Sequence, residues 1–298
     1  MKDSSPSSTA LLIAGSVAWM FKNSEFRHLV PPASAEANAS FVKNHSRRAR
    51  LLLRVLGSRW LRWAAVVIER LTIPGIQLHY IVRKRFVEEV VRASLNEGFS
   101  QIIIVGAGFD TLVYRLAATF PAARFIEVDH PATQRYKQHT LEMLQRVPAN
   151  VEFLAVDLTQ QSLEERLSAS TLYRRDTATI FVAEGVLMYL TTDEVTTIFR
   201  FMADGGNSKR RVVFTFMELD FNGRVAFRNA SRAVDLYLRF RGEPFRWGIS
   251  REALPTFLTS MGFSLKELAT ASLFRQRYDI QSAALAEGEC VCVADRSE

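Results

Sequence analysis

Glycines and acids follow four short apolar runs in the middle of the chain, each at the point where the run ends. These segments are Gly106-Ala107-Gly108-Phe109-Asp110, Glu127-Val128-Asp129, Asp157-Leu158 and Glu184-Gly185. Two close glycines let the backbone turn tightly beside a ligand, and the helix that follows can offer free N–H groups. A carboxylate in the second segment can accept hydrogen bonds from both hydroxyls of a ribose, and an acid beside a leucine suits an adenine ring. Together the four segments predict a nucleoside site.

The charge of the first segment indicates which cofactor the nucleoside belongs to. The dinucleotide fingerprint has three glycines and aims a helix N-terminus at a pyrophosphate. Here Thr111 stands at the third glycine position, and Asp110 puts a negative charge where the pyrophosphate would lie. S-adenosylmethionine has no phosphate and carries an ammonium and a sulfonium, so the sequence favours it over NAD. Asp110 and Thr111 are also expected to cap the helix that follows them.

A repeated pattern of strand, turn and helix must position these segments. The predicted strands are Gln101–Val105, 124–128, Val151–Ala155, Thr179–Ala183 and 211–217, with a late antiparallel pair at 264–271 and 289–294. The helices predicted between them are 111–119, 132–145, Leu163–Ser168 and 193–203. Apolar strands that alternate with helices are typical of a mostly parallel sheet covered on both faces. Ligands of such sheets bind beyond the carboxyl ends of the strands, where all four segments fall.

The N-terminal third of the chain has a purely helical pattern. Helices are predicted at 9–21, 35–56, 58–71 and 80–95, with breaks at Pro31-Pro32, Gly57-Ser58 and Pro74-Gly75. In 47–71, arginines alternate with leucine, valine and the tryptophans Trp60 and Trp63, which is an amphipathic pattern. We expect a single domain over 1–298, in which a helical cap of 1–95 covers an α/β core of 96–298.

Positive charge is concentrated in the same N-terminal region. Eleven lysines and arginines but one acid, Glu69, lie between positions 38 and 85, a net of +10 in a chain whose total is +7. Such a patch can attract an anionic substrate, a membrane surface or nucleic acid. We expect a small anionic acceptor as partner and no nucleic acid, because no nucleic-acid-binding motif surrounds the patch. Contact with a membrane surface is the less favoured alternative.

Cysteine, histidine and the first apolar run bear on metal binding and localisation. Cys290 and Cys292 are expected to be small buried hydrophobic residues, and the five histidines show no zinc-site spacing, so no metal is expected. The apolar run 10–21 is shorter than the ~20 residues that span a bilayer. It also lacks the basic start of a signal peptide, and an amphipathic first helix in a cytoplasmic protein is expected instead.

The four segments resemble motifs of the leucine carboxyl methyltransferase family. The matching stretches are IVGAGFDT at 104–111, YRL at 114–116, FIEVDHP at 125–131 and AEGVLMYL at 183–190. The bacterial branch, which includes polyketide O-methyltransferases, fits best, since STA at 8–10 and GEPF at 242–245 are similar to it as well. The resemblance spans nearly the whole chain. It implies an α/β, Rossmann-like class I fold of S-adenosylmethionine-dependent methyltransferases, with a mostly parallel seven-stranded sheet and an N-terminal helical cap.

The resemblance also implies roles for individual residues. Gly106 would contact the methionine part of S-adenosylmethionine, Asp129 the ribose, and Asp157 with Leu158 the adenine. An arginine ahead of the first strand would hold the methionine carboxylate, and Arg83 fits best, with Arg85 as the alternative. The full predicted cofactor site is Arg83, Gly106, Ala107, Gly108, Asp110, Glu127, Asp129, Asp157, Leu158 and Glu184. Protein-methylating eukaryotic members also use an N-terminal lysine, and none lies near 8–10.

The nature of the acceptor depends on whether the site needs a base. Methyl transfer requires an acceptor oxygen placed in line with the leaving sulfur. A carboxylate is ionised at neutral pH, whereas a hydroxyl needs a positioned histidine or carboxylate. No such base stands out, and Tyr189 is the one candidate catalytic residue, while His130 is interpreted as structural. We therefore expect a methyl ester on a small apolar acid, with an arginine of the cap paired to it.

Three alternatives remain open at this stage. In the first alternative the acceptor is a hydroxyl of a polyketide-like metabolite. In the second it is the C-terminal carboxylate of a protein. The third alternative is a non-catalytic protein that binds S-adenosylmethionine or a membrane surface.

Overall fold

The computed structural model describes most of the chain. The described residues are 6–47, 49–51, 58–144, 147–158, 160–206, 208–220, 222–228, 230–231, 233–234, 236, 238 and 243–297.

Within these residues, seven strands form one sheet in the order β3-β2-β1-β4-β5-β7-β6. The strands are β1 Gln101–Val105, β2 Arg124–Asp129, β3 Val151–Ala155, β4 Thr179–Ala183, β5 Arg210–Met217, β6 Phe263–Ala269 and β7 Glu289–Arg296. Strands β1 to β5 pair in parallel, and β7 lies antiparallel between β5 and β6. The strand order reverses between β1 and β4, which places a ligand cleft at their carboxyl ends.

Helices precede and connect the strands. They are α1 Ser8–Asn23, α2 Pro32–His45, α3 Arg59–Thr72, α4 Ile76–Asn96, α5 Leu112–Leu116, α6 Pro131–Leu144, α7 Leu163–Ser168, α8 Thr192–Ala203, α9 Leu254–Ser260 and α10 Ala271–Arg277. Short 3-10 helices span Glu25–Leu29 and Leu187–Tyr189. No helix among the described residues combines the length and the apolar character needed to cross a membrane.

The predicted α/β architecture with a seven-stranded, mostly parallel sheet is confirmed, whereas several predicted bounds are shifted, and two elements end early for a clear physical reason. The helix predicted over 35–56 ends at His45, because Ser46 adopts extended backbone with φ −161°. Helical backbone resumes at 47 and 49–51, and positions 48 and 52–56 of that prediction lie outside the described residues. The strand predicted over 264–271 ends at Ala269, because the Thr270 hydroxyl accepts a hydrogen bond from the Leu273 N–H and begins α10.

Two apolar layers cover the sheet. On one face, α4 packs Val82 and Phe86 against strand residues such as Ile102, so this helix of the predicted cap lies directly on the sheet. On the other face, α8 and α9 pack against strand residues such as Phe181, in a cluster that includes the buried Cys290. Both clusters are continuous across the strands, so the positions of the strand ends are set by burial on both sides.

Helix α2 packs against the turn that follows β1. The buried ring of Phe41 stacks on Phe109, with ring centroids 4.8 Å apart, in a cluster that also holds Tyr114 and Leu141. The backbone oxygen of Phe41 accepts a hydrogen bond of 2.5 Å from the Tyr136 hydroxyl. The N-terminal helices are therefore coupled to the glycine-containing turn through apolar contact.

Substitution Phe41→Ala tests this coupling. Removal of a fully buried phenylalanine is expected to lower the free energy of unfolding by about 3–5 kcal/mol, because it creates a cavity between α2 and the turn. Chemical denaturation measures the change. The control Met143→Ala removes an exposed side chain of α6 and should stay within about 0.5 kcal/mol of wild type. Equal losses in the two variants would contradict the packing described here.

Candidate active site

A cavity of about 330 Å³ opens beyond the carboxyl ends of β1 to β4. Its floor consists of the turn after β1 and the segments after β2, β3 and β4, and α1 covers it through residues such as Thr9 and Ala10. The structure brings nearly all predicted cofactor residues to its wall: Arg83, Gly106, Ala107, Gly108, Asp110, Asp129, Asp157, Leu158 and Glu184, together with Tyr189. The exception is Glu127.

The turn after β1 needs glycine at its first position. Gly106 has φ +69°, a conformation that side chains strongly disfavour, and a Cβ there would lie 2.5 Å from Val186. The N–H groups of Gly106 and Ala107 donate to the Val128 oxygen at 2.8 and 3.2 Å, which ties the turn to β2. The turn therefore presents bare backbone to the cavity.

Asp129 is held rigidly at the end of β2. Its Oδ1 accepts a hydrogen bond of 2.6 Å from the His130 N–H, and its Oδ2 accepts one from the Gly108 N–H. Burial raises the pKa of Asp129, and these two backbone N–H groups oppose the rise. Each carboxylate oxygen keeps a second lone pair, so both can accept hydrogen bonds from a vicinal diol.

Glu127 lies outside the cavity, although it was predicted as part of the cofactor site. Its side chain is 1% exposed and forms an ion pair of 2.5 Å with Lys137 of α6. Burial raises the pKa of Glu127 to about 7, against the opposing effect of Lys137. The structure therefore places Glu127 between β2 and α6, whereas Asp129 lines the cavity.

Arg83 is oriented by two carboxylates from distant parts of the chain. Its Nε donates to Glu184 at 2.9 Å, and its Nη1 donates to both oxygens of Glu289 on β7 at 2.7 Å. The same Glu289 contacts Nε2 of His79 at 2.8 Å. Burial alone would raise the pKa of Glu289, but Arg83 and His79 outweigh it and lower that pKa to about 2. Nη2 of Arg83 makes no hydrogen bond to a described residue and lies beside Gly185 at the cavity wall.

The alternative residue, Arg85, points elsewhere. Its Nε pairs with Glu89 one helical turn along α4 at 2.9 Å, and Arg85 lines a separate groove with residues of α2 and α5. The sequence left Arg83 and Arg85 as alternatives, and of these two the structure places Arg83 at the cavity.

Lys84 is a second cation of the site that sequence reasoning missed. Its Nζ pairs with Asp110 and lies 3.1 Å from Glu184. Burial would lower the pKa of Lys84, but Asp110 and Glu184 raise it overall, so the amine stays charged. Burial would likewise raise the pKa of Asp110, and Lys84 lowers it overall. Asp110 also accepts a hydrogen bond of 2.6 Å from the Leu112 N–H, in agreement with its expected role at the start of α5.

The charges of the cavity wall fit S-adenosylmethionine. The five carboxylates are Asp110, Asp129, Asp157, Glu184 and Glu243, and the three cations are Arg83, Lys84 and Arg246. The excess of negative charge suits a ligand whose ammonium and sulfonium outnumber its carboxylate, and it disfavours a pyrophosphate. The free edge of Arg83 can pair with a carboxylate. The bare turn at Gly106 leaves room for the methionine chain of such a ligand, and the two oxygens of Asp129 can accept hydrogen bonds from a ribose.

The other end of the cavity is lined by Thr9, Ile13, Tyr189 and the loop from Glu243 to Arg246. The loop is fixed by a hydrogen bond of 2.7 Å from the Arg246 N–H to the Met188 oxygen. The Thr9 hydroxyl donates to Glu243 and so ties α1 to the loop. Burial raises the pKa of Tyr189, so the phenol stays protonated at neutral pH.

Arg246 is a site residue that sequence reasoning did not find. Its side chain is exposed at the cavity and forms no ion pair with a described residue. The expectation that an arginine of 47–62 faces the acceptor finds no support among the described residues, since none of that segment lines the cavity. The signal for Arg246 was the motif GEPF at 242–245 just before it, whose first glycine lies outside the described residues.

Comparison with known proteins agrees with this fold. A solved structure from Thermobifida fusca, described as a candidate methyltransferase, superposes with a TM-score of 0.56 at 16% identity and covers 88% of this chain and 94% of that one. This likeness, together with the strand order and the cleft, defines a class I, Rossmann-like methyltransferase fold. The family model for leucine carboxyl methyltransferase matches residues 33–203. The chain therefore belongs to the leucine carboxyl methyltransferase family, which confirms the predicted cofactor, S-adenosylmethionine.

Individual relatives cover part of the chain. A candidate S-adenosyl-L-methionine-dependent methyltransferase of Mycobacteroides abscessus is 32% identical over 158 residues, which are 51% of this chain and 48% of that protein. Leucine carboxyl methyltransferase 1 of Caenorhabditis elegans is 27% identical over 168 residues, 48% of this chain and 50% of that protein. The matched region thus spans about half the length of these relatives.

Substitution Glu289→Gln tests whether the buried carboxylate positions Arg83. The neutral amide can accept fewer hydrogen bonds from the guanidinium, so the dissociation constant of S-adenosylmethionine is expected to rise roughly ten- to hundredfold. Isothermal titration calorimetry measures it. The matched control is Glu218→Gln, which removes a carboxylate that pairs with Arg228 and Arg251 away from the cavity.

The control should bind S-adenosylmethionine as wild type does.

Because the pKa of Glu289 is lowered from 4.5 to about 2, its contribution to stability is complete above pH 4.5 and is lost only as the pH falls towards 2. The difference in unfolding free energy between wild type and Glu289→Gln should therefore stay constant from about pH 5 to 8. Unchanged affinity in Glu289→Gln would refute the positioning role.

Proposed function

We propose that this protein transfers the methyl group of S-adenosylmethionine to a carboxylate oxygen of a small apolar acid and so forms a methyl ester. The observation that carries the proposal is Arg246, an arginine without an ion-pair partner among the described residues, at the acceptor end of the cavity. A guanidinium in this position matches the charge and shape of a carboxylate. The family to which the chain belongs supports the same reaction.

The residues of the cofactor end would hold S-adenosylmethionine in one orientation. Nη2 of Arg83 would pair with the methionine carboxylate, Asp129 would accept from the ribose hydroxyls, and Asp157 with Leu158 would contact the adenine. When bound, S-adenosylmethionine would supply a methyl group whose carbon can pass in line from the sulfonium to an oxygen nucleophile, with the sulfur leaving as a neutral thioether. Helix α1 covers the cavity and would limit the access of water to it.

The residues of the acceptor end would place the nucleophile. Arg246 would pair with the acceptor carboxylate, and the protonated phenol of Tyr189 would donate a hydrogen bond to it. An ionised carboxylate needs no base, so the contribution of the protein is to hold the oxygen in position. Apolar side chains also line the cavity, among them Ile13, Val186, Leu190 and Pro244. Apolar acids are therefore the expected acceptor class.

Glu243 supports a second candidate function. A carboxylate at the acceptor end could take the proton of a hydroxyl acceptor and so permit formation of a methyl ether. Against this role, Glu243 already accepts a hydrogen bond from Thr9, which engages it in fixing α1 to the loop. The carboxylate acceptor remains the better supported of the two.

The product distinguishes the two reactions. Labelled S-adenosylmethionine is offered with a panel of apolar carboxylic acids, matched alcohols and phenols, and a peptide with a free C-terminus. Alkali releases labelled methanol from an ester and leaves an ether intact. Label that alkali releases from the acids supports the proposal, whereas alkali-stable label alone would refute it in favour of the hydroxyl reaction.

Substitution Arg246→Gln tests the acceptor contact. Loss of the charged hydrogen bond is expected to raise KM for the carboxylic acid by roughly ten- to hundredfold while the affinity for S-adenosylmethionine stays unchanged. Steady-state kinetics with labelled cofactor measures the change. The control Arg200→Gln, an exposed arginine of α8 away from the cavity, should keep the wild-type KM. An unchanged KM in Arg246→Gln would show that another group binds the acceptor.

A further inference from the structure

Helix α3 presents an apolar face to solvent. Trp60 is 84% exposed, Trp63 66%, Ile68 61% and Leu71 70%. At about 100° per residue, these four side chains fall within an arc of about 140° on one side of the helix. The other two tryptophans of the protein differ, since Trp247 is buried and Trp19 is partly buried. A contiguous exposed stripe with two tryptophans marks an interaction surface.

The helix is attached to the protein through its polar side. The carboxylate of Glu69 accepts hydrogen bonds from the backbone and the side chain of Gln77, at 3.3 and 2.8 Å. Burial raises the pKa of Glu69. Glu69 lies roughly opposite Trp60 around the helix, nine residues or about 900° away. The usual orientation of an amphipathic helix is therefore inverted, and the apolar stripe points away from the body of the protein.

The chain around α3 is strongly cationic. Between positions 43 and 70 there are eight lysines and arginines, and the one acid is Glu69, which is turned inward to Gln77. Lys43, Arg47, Arg50 and Arg70 are exposed and form no ion pair with a described residue. The three cations that follow on α4, at positions 83–85, are by contrast all paired with acids. Exposed cations without an ion pair to a described residue are thus frequent in the segment that contains the apolar stripe.

We propose that α3 is a docking helix for an anionic membrane surface. Its tryptophan-containing stripe would enter the boundary between headgroups and acyl chains, and the surrounding arginines and lysines would pair with lipid phosphates. The helix has 14 residues, so its length of about 21 Å is shorter than the ~30 Å hydrocarbon core, and it lies on the bilayer rather than across it.

Other occupants match the observations less well. Nucleic acid would use the cations but would leave the apolar stripe exposed, since phosphate contacts dominate such binding. A second copy of this chain would cover the stripe but would bring two strongly cationic segments together. An anionic lipid surface would offer an apolar region to the stripe and phosphate groups to the cations. The proposal is independent of the methyl-transfer reaction.

The test is flotation of the full-length protein with vesicles. One set is phosphatidylcholine alone, and the other is phosphatidylcholine mixed with phosphatidylglycerol. Binding is expected to the mixed vesicles, with a shift of tryptophan emission to shorter wavelength and a loss of binding at high salt. The double substitution Trp60→Ser/Trp63→Ser should weaken partitioning by roughly tenfold or more, and Arg47→Gln/Arg50→Gln/Arg70→Gln should weaken it and flatten its salt dependence.

Controls separate docking from folding and from the active site. Met143→Ser removes an exposed apolar side chain of α6, outside the cationic segment, and should float as wild type does. All variants should keep the wild-type affinity for S-adenosylmethionine, because none of the substituted residues lines the cavity. No flotation with the mixed vesicles at low salt would overturn the proposal. Flotation unaffected by the tryptophan substitutions would overturn it as well, as would self-association or nucleic-acid binding without flotation.

Discussion

A buried network of charges connects the last strand to the turn after the first, and the cofactor end of the cavity depends on it. The network runs from Glu289 on β7 to Arg83 on α4, from there to Glu184 after β4, and through Lys84 to Asp110 after β1. Buried ion pairs contribute little net stability, because the loss of hydration offsets their attraction. Their value here is orientation. They fix the edge of Arg83 that remains free and hold the ends of β1 and β4 at a set separation.

Apolar packing supplies the frame on which this network acts. The two layers on the sheet place the strand ends in register. Helix α4 belongs to one of these layers and also carries two of the three site cations, Arg83 and Lys84. Helices α1 and α2 then close the cavity, since α2 packs on the turn through Phe41 and α1 reaches the acceptor loop through Thr9. Cofactor and acceptor ends are thus covered by one N-terminal unit, so changes in its packing should affect both.

Local patterns predicted much of this arrangement and missed the parts that depend on long-range contact. Strand ends can be recognised in the sequence because apolar runs stop at glycine or an acid. This pattern predicts Asp129, Asp157 and Glu184 at the cleft. Glu127 is an acid in the same motif as Asp129, but it lies within β2, two residues before the strand ends, and pairs there with Lys137 of α6. The partner of Arg83, Glu289, lies 206 residues further along the chain, beyond the reach of any local pattern.

The N-terminal region shows the same division between local and tertiary information. Periodicity identified α3 as amphipathic, but the direction of its apolar side depends on the contact between Glu69 and Gln77. Likewise, the arginine expected to face the acceptor was sought in the basic helices, whereas the structure offers Arg246 on a loop that follows β5 by about thirty residues. Charge density along a sequence indicates a cationic surface, and tertiary contacts decide which cations reach a cavity.

The central claim is that the cleft binds S-adenosylmethionine through Asp129, and calorimetric titration of wild type, Asp129→Asn and the exposed control Asp193→Asn tests it most directly. We expect micromolar-range binding by wild type and by the control, and loss of binding in Asp129→Asn while its circular dichroism stays that of wild type. Asp129→Asn keeps the shape of the side chain and removes the charge and one acceptor oxygen. Absence of binding by wild type, or equal binding by all three proteins, would contradict the account.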